Sequence, residues 1–191
     1  MELLTDNCCS PPEMSLGDMR TPKGFSLIEL LIVVAIILII AAIAIPNLLQ
    51  AKISANESSA AAGLHALQTA EVTYNSAYAA VGYANGLGEL GGAAPCTPLS
   101  TSACIIDNLL ATATPGGAGK NGYYYQATGI MSGGATYNTA YIVAAAPIAV
   151  HSSGNRDFCS TNDVVLRAQM GSPGDLPVIT QAACVAFPVA P

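Results

Sequence analysis

The sequence has no tryptophan, and only 9% of its 191 residues are charged and 6% are aromatic. Few large side chains are therefore available to fill a hydrophobic core, so any folded domain should have a thin core that cross-links would help to stabilise. Lysine and arginine together number six, and they are too scattered to form the basic stripe that binds phosphate backbones. We therefore expect no nucleic-acid partner.

One long apolar run is present. From Phe25 to Ile45, 21 residues contain no Lys, Arg, Asp, Asn, Gln or His, which suits a bilayer core of about 30 Å at about 1.5 Å per residue. Glu29 lies one turn into this run, where an unpaired carboxylate costs about 2 to 3 kcal/mol. Residues 25–45 are predicted to span a membrane, and Glu29 needs an explanation.

The charges around this segment predict its orientation. Arg20 and Lys23 precede it and only Lys52 follows closely, so the N-terminus should stay in the cytoplasm and the rest should be exported. Residues 1–24 are interpreted as a leader. Translation starting at Met19 would give a shorter, basic leader, and the sequence leaves the choice of start open.

The cysteines divide at the same segment, with Cys8 and Cys9 before it and four after it. In an oxidising compartment the four distal cysteines could form two disulfides in any of three pairings. We favour the pairs closest in sequence, and zinc is the alternative, although no C-x-x-C spacing supports it. The favoured pairs are Cys96 with Cys104 and Cys159 with Cys184.

The helical pattern continues beyond the apolar segment. Pro46 should kink the helix without ending it, because apolar residues then recur at three- and four-residue intervals and form an amphipathic stripe. One helix is predicted from Phe25 to about Tyr78, with residues 46–78 as its amphipathic half and His65 half-buried beside the stripe. The stripe consists of Ile53, Ala60, Leu64, Leu67, Tyr74 and Tyr78.

The remaining residues, 79–191, predict a globular head. Residues 79–121 are rich in Gly, Ala and Pro and indicate a connecting loop, and residues 122–191 contain the strand candidates and a late disulfide loop. The predicted fold class is α+β, a long N-terminal helix packed on an antiparallel sheet of three or four strands. The strand candidates are 122–129, 136–147 and 163–169, with 156–159 pairing back on 164–168.

The run from Lys23 to Glu29, followed by the apolar segment, Pro46 and the amphipathic helix, resembles the N-terminal signal of type IV pilins and type II secretion pseudopilins. The resemblance implies that a prepilin peptidase cuts after Gly24 and N-methylates Phe25. It also implies a pilin fold, and a filament in which Glu29 pairs with the Phe25 amine of a neighbouring subunit.

The implied partners are other copies of the chain, the peptidase, the inner-membrane assembly machinery and, before assembly, membrane lipid. The precursor is expected in the inner membrane and the product in an extracellular pilus. The late cysteine pair and the 167 residues from Phe25 onward favour a pilin. A periplasmic pseudopilin of a secretion system is the alternative within the family.

Other classes have weaker support. A membrane-tethered enzyme would need a constellation such as His151, Ser152 and Asp157, but their spacing follows no known catalytic logic, so we expect no catalytic residues. We expect no cofactor or metal site either. Calcium remains open through Asp157, Asp163 and Asp175, although solvated turn acids explain them more simply. An ordinary signal peptide, cut after Ala44, is the remaining alternative.

Overall fold

The computed structural model of the chain describes residues 24–190. The predictions that concern the leader, including Met19, Cys8 and Cys9, lie outside these residues. The chain forms two compact units, one ending at Ala42 and the other, called the head here, beginning at Ile43. The elements are α1 (Leu27–Ala77), α2 (Leu87–Leu90), α3 (Asn108–Ala111), β1 (Tyr123–Ile130), β2 (Ala140–Pro147), β3 (Arg156–Thr161), β4 (Arg167–Met170) and α4 (Gln181–Val185).

The long helix α1 begins close to the predicted start and continues through Pro46. It contains an 18-residue window with a mean hydropathy of 3.3, none of which is buried within the protein. By length and composition this helix can cross a membrane.

The head contains a four-stranded sheet in the order β1-β2-β3-β4, and each neighbouring pair is antiparallel. Tyr125 pairs with Ala145 and Ala144 with Cys159. A long helix with a small antiparallel sheet confirms the predicted α+β fold.

The predicted strand limits need correction. β2 begins at Ala140 instead of 136 and β4 at Arg167 instead of 163. Residues 163–166 form a turn because the Asp163 carboxylate accepts hydrogen bonds from the Thr161 hydroxyl and the Val165 N–H. As a result β3 pairs with residues 167–170, and of the predicted partner segment 164–168 only residues 167 and 168 lie opposite it.

The core of the head lies between α1 and the sheet. Five of the six stripe residues are buried, and Tyr78 is half-buried at the edge of the core. The opposing side chains include Tyr125, Val143, Ala145 and Phe158. The prediction that His65 is half-buried is wrong: this residue is exposed, because it lies beside the buried stripe, beyond the edge of the face that the sheet covers. The buried stripe residues are Ile53, Ala60, Leu64, Leu67 and Tyr74.

A second cluster covers the other face of the sheet and contains Ile142, Ala144, Cys159, Cys184 and Phe187. The segment after β4 therefore closes the sheet from outside. Its short helix α4 is capped by Thr180, whose hydroxyl accepts from the Ala183 N–H.

Candidate assembly site

The predicted cleavage site lies just before α1. Residues 24–26 have no regular secondary structure, and the helix begins at Leu27. A Cβ placed on Gly24 would meet no other residue within 4 Å, and Phe25 is 78% exposed. The bond between Gly24 and Phe25 is thus not covered by any part of the chain that the structure describes.

Glu29 occupies the first turn of α1 and is exposed. The unpaired N–H groups at the start of a helix carry a partial positive charge, which stabilises a nearby carboxylate. The four-residue spacing places Glu29 about one turn beyond Phe25. An acid next to an apolar helix surface is therefore tolerated here and is available to a cation from outside the chain.

The residues after Glu29 present a continuous apolar surface. Leu31, Val34 and Leu38 are 46 to 63% exposed, although each is a residue type that is normally buried. An exposed apolar surface of this length is unstable in water and indicates contact with lipid or protein. Unlike the head, this segment has no partner among the described residues.

The four distal cysteines form two disulfides in the structure. Cys96 is joined to Cys104 with 6.1 Å between the Cα atoms, and Cys159 to Cys184 with 5.8 Å. Both members of the second pair are fully buried. This bond attaches α4 to the central strand β3, so it closes the late loop that the sequence predicted.

Ion pairs hold the connecting segments of the head. Arg156 Nη2 lies 2.8 Å from Glu57 Oε2, and Glu57 Oε1 accepts from the Asn155 N–H. Glu57 is buried on α1, so this acid fixes the start of β3 against the helix. Lys120 pairs with Asp107 at 3.0 Å near the start of β1.

Two further acids are buried without a cation. Glu71 on α1 accepts from the Ala84 N–H through Oε2, while Oε1 has no partner among the described residues. Burial raises the pKa of Glu71 to about 8 and that of Asp157 to about 6, and in the latter case the charge of Asp175 adds to the rise. At pH 7 the Glu71 carboxyl is therefore mostly protonated, whereas Asp157 takes up its proton only as the pH falls toward 6.

The residues considered for catalysis are not assembled into a site. His151 lies in an exposed turn, and its Nδ1 bonds to Asn155 Oδ1 at 3.1 Å. Asp157 is buried in β3, and Ser152 is exposed in the turn. The structure shows no hydrogen bond from His151 to Ser152 or Asp157.

The residues considered for calcium are also separately engaged. Asp163 is bound by the guanidinium of Arg167, which holds the pKa of this carboxyl well below its usual range. Asp175 accepts from the Ser172 N–H. Within residues 24–190 no group of three or more His, Cys, Asp or Glu side chains is placed to hold a metal ion.

Sequence reasoning missed the polar residues within the stripe. Glu57, Gln68 and Glu71 are buried on the same side of α1 as the apolar residues. The signal was available, because Glu57, Ala60, Leu64, Gln68 and Glu71 are separated by three or four residues. Polar residues at stripe positions predict buried hydrogen bonds, and Gln68 indeed donates to Ser160 Oγ.

Comparison with known proteins concerns the N-terminal segment. Residues 19–45 match the family model described as the prokaryotic N-terminal methylation motif. The type IV wide pilus major component PilA4 of Thermus thermophilus is 65% identical over 40 residues, which are 21% of this chain and 30% of that protein. The type IV major pilin protein PilA of Myxococcus xanthus is 52% identical over 52 residues, 27% of this chain and 24% of that protein.

The matches thus span less than a third of either relative's length. No solved structure matches the chain. The matched segment, residues 19–45, nevertheless includes the start of the exposed apolar helix and the acid in its first turn. In its N-terminal segment, this chain is similar to type IV pilins.

Proposed function

We propose that the chain is a structural subunit of a type IV pilus filament. The observation that carries the proposal is the exposed apolar start of α1, which places an acid in its first turn and belongs to the same chain as a disulfide-bonded head. Such a helix needs lipid or neighbouring subunits to cover it. The names of the two relatives, both major pilus components, favour a pilin over a secretion pseudopilin.

Processing follows from the same segment. A prepilin peptidase cuts after Gly24 on the cytoplasmic side and methylates the new amine of Phe25. The uncovered position of Gly24 and Phe25 before the helix is compatible with access by a protease. Before assembly the inner membrane holds the subunit through residues 25–45, and the assembly machinery of that membrane then transfers it into an extracellular filament.

Assembly gives Glu29 a role. In a filament the apolar helices pack side by side, and the Glu29 carboxylate of one subunit meets the charged amine of Phe25 on another. A methylated amine remains cationic, so two charges that are costly in apolar surroundings become one pair. Removing one member of a buried ion pair costs about 3 to 5 kcal/mol. The pair would therefore fix the position of each helix along its neighbours.

The role proposed for the head is structural. In this proposal the head binds no calcium, which is supported by the pairing of Asp163 with Arg167. The buried disulfide and ion pairs give it the stability that a small core does not provide.

The test is the recovery of sheared surface filaments, followed by intact-mass measurement of their subunit. We expect a chain that begins at Phe25 and carries one added methyl group. A mature chain that begins after Ala44 would show an ordinary signal peptide and contradict the proposal. Short filaments confined to the periplasm, with normal processing, would instead support the pseudopilin alternative.

A further inference from the structure

A shallow groove of about 390 Å³ lies on the head where α1 passes the turn between β3 and β4. One wall is a single face of α1, since its residues there are spaced by three and four positions. The other wall is Val164, between β3 and β4, and the floor is the buried ring of Tyr141. The groove lining includes His65, Thr69, Val72, Thr73, Tyr141 and Val164.

Most polar groups of the helix wall are already engaged. The Thr69 hydroxyl donates to the His65 carbonyl at 3.0 Å, and the Thr73 hydroxyl donates to the Thr69 carbonyl at 2.8 Å. His65 Nδ1 lies 2.9 Å from Gln68 Oε1. What this wall offers a partner is therefore mainly apolar: two threonine methyl groups and the side chain of Val72, which is 51% exposed.

Val164, on the opposite wall, has a backbone conformation that is unfavourable for a β-branched side chain. Val164 has a φ of 60°, in the left-handed region where a β-branched residue is a rare outlier. Its side chain is 53% exposed, so the fold gains little from burying it.

The turn is nevertheless firmly held. Asp163 accepts from the Thr161 hydroxyl, the Val165 N–H and both terminal nitrogens of Arg167. The Val164 N–H donates to the Thr161 carbonyl at 2.9 Å. A strained residue that is fixed by its surroundings and yet exposed indicates a functional contact.

We propose that this groove is a contact between subunits, in which Val72 and Val164 enclose an apolar side chain of a second copy of the chain. The inference rests on the proposed function. The second copy is the favoured occupant because α1 forms the groove wall and also carries the assembly segment, so neighbouring copies must lie along it. The groove has no Asp, Glu, Lys or Arg in its lining, which matches an apolar partner and not a charged one.

The first experiment measures burial directly. The Val72→Cys variant is treated with a polar maleimide, once as the membrane-held subunit and once in sheared filaments. We expect at least about tenfold less labelling in the filament, since a thiol inside a closed contact is inaccessible to the reagent. Leu109→Cys is the matched control, because Leu109 is 70% exposed on α3 and does not line the groove, and it should label equally in both states.

Equal labelling of Cys at position 72 in both states, with normal wild-type filaments, would overturn the groove contact and leave the proposed function intact. An absence of wild-type filaments would contradict both. Protection in the membrane-held subunit alone would show that the groove is occupied by lipid, which also overturns the contact between copies.

The second experiment uses the strain of Val164. Asparagine tolerates the left-handed region better than other non-glycine residues, so Val164→Asn should raise the melting temperature of the detergent-solubilised subunit by about 3 °C. The same change should lower the ratio of filament to membrane-held subunit about tenfold, the expected effect of losing an apolar anchor from an interface.

A purely structural residue would not move these two readouts in opposite directions. Leu176→Asn replaces an apolar residue of similar exposure, 61% against 53% for Val164, that does not line the groove, and it should leave both unchanged. Normal filament yield with Val164→Asn and Val164→Gly would overturn the proposal.

Discussion

The two compact units of this chain use their hydrophobic residues in opposite ways. In the unit that ends at Ala42, the large apolar side chains of α1 are exposed along its whole length; Leu31 is 60% exposed. In the head, Leu64 and Leu67 on the same helix are completely buried. The first part of α1 thus leaves its apolar surface free for lipid or other molecules, whereas the second part buries its apolar surface within the head.

The difference also extends to polar groups. Between Phe25 and Ala42 the sequence contains a single acid, Glu29, which lies in the first turn of α1 and is exposed. The head buries Glu57, Glu71 and Asp157 among alanines and tyrosines. The first unit therefore depends on partners for its stability, whereas the head depends on internal pairs, hydrogen bonds and disulfides. Each prediction below tests one side of this contrast.

The largest effect is expected at Glu29. In a simple membrane anchor, Glu29→Leu removes a costly charge and should be neutral or favourable. In a filament it leaves the neighbouring Phe25 amine unpaired, so the ratio of filament to membrane-held subunit should fall by about 100-fold or more, at about 3 kcal/mol or more for a broken buried pair. Immunoblots of sheared and cell-bound fractions measure this ratio.

Membrane insertion and cleavage after Gly24 serve as the control and should persist in Glu29→Leu. Glu29→Asp should be intermediate, because the charge remains but its reach shortens by one methylene. Normal filaments in the Glu29→Leu variant would refute the pairing between subunits.

Glu71 tests how a buried acid affects the stability of the head. Burial raises its pKa from 4.5 to about 8, the Ala84 N–H lowers it, and the charge of Glu89 raises it further. Because the folded protein holds this proton more tightly than the unfolded chain, Glu71 lowers stability as pH rises, from about pH 4.5 until the pKa near 8 is passed. The full effect is at most about 5 kcal/mol.

Glu71→Gln isolates this contribution, since the amide oxygen can still accept from Ala84. We expect the variant to be more stable than the wild type at pH 8 and nearly equal to it at pH 4. Chemical denaturation of the detergent-solubilised subunit at several pH values gives the difference curve. A difference that does not change with pH would mean that Glu71 is ionised in the folded head.

The next effect concerns the disulfides. The bond between Cys159 and Cys184 spans 25 residues and the bond between Cys96 and Cys104 spans 8. In the chain-entropy model, removing the longer cross-link costs about 3.5 kcal/mol and removing the shorter about 2.5 kcal/mol. Paired Cys→Ala variants, compared by denaturant unfolding, should follow this order.

Insertion of the apolar segment should be unaffected in both paired variants, because no cysteine lies between Phe25 and Ile45. A larger loss from the shorter bond would show that strain or local packing outweighs loop entropy in this head.

The sequence predicts the parts of this structure whose pattern is local. The helix, its stripe and the class of the fold follow from three- and four-residue spacing and from one long apolar run. The beginning of β4 does not, because residues 163–166 have the composition of a strand but Asp163 binds Arg167 and Thr161 and forms a turn.

The candidate site divides in the same way. Gly24, Phe25 and Glu29 can be predicted from sequence as the cleavage and assembly residues, since the motif that contains them spans six residues, and these roles stay predictions. The groove at Val164 is not, because it depends on the φ of one residue and on a helix about 90 positions earlier in the chain. The exposure of His65 was also missed, since periodicity places a residue beside a stripe without fixing how wide the covered face is.

The smallest effect is expected at Gly63, where helix propensity and packing have opposite signs. Alanine in place of a helical glycine gains about 1 kcal/mol. Here, however, a Cβ would lie 2.8 Å from Cε1 and 2.9 Å from the hydroxyl oxygen of Tyr125, whose ring is buried on β1. Overpacking of this kind costs about 1 to 3 kcal/mol, so Gly63→Ala should destabilise the head by about 1 kcal/mol net.

Gly88 in α2 is the matched control, because a Cβ there meets nothing within 4 Å, and Gly88→Ala should therefore stabilise the head slightly. Adding Tyr125→Phe to Gly63→Ala removes one of the two close contacts and should recover part of the loss. If Gly63→Ala alone stabilised the head, Tyr125 would have room to move. The packing between α1 and β1, which distinguishes the head from the exposed apolar unit, would then be looser than the structure indicates.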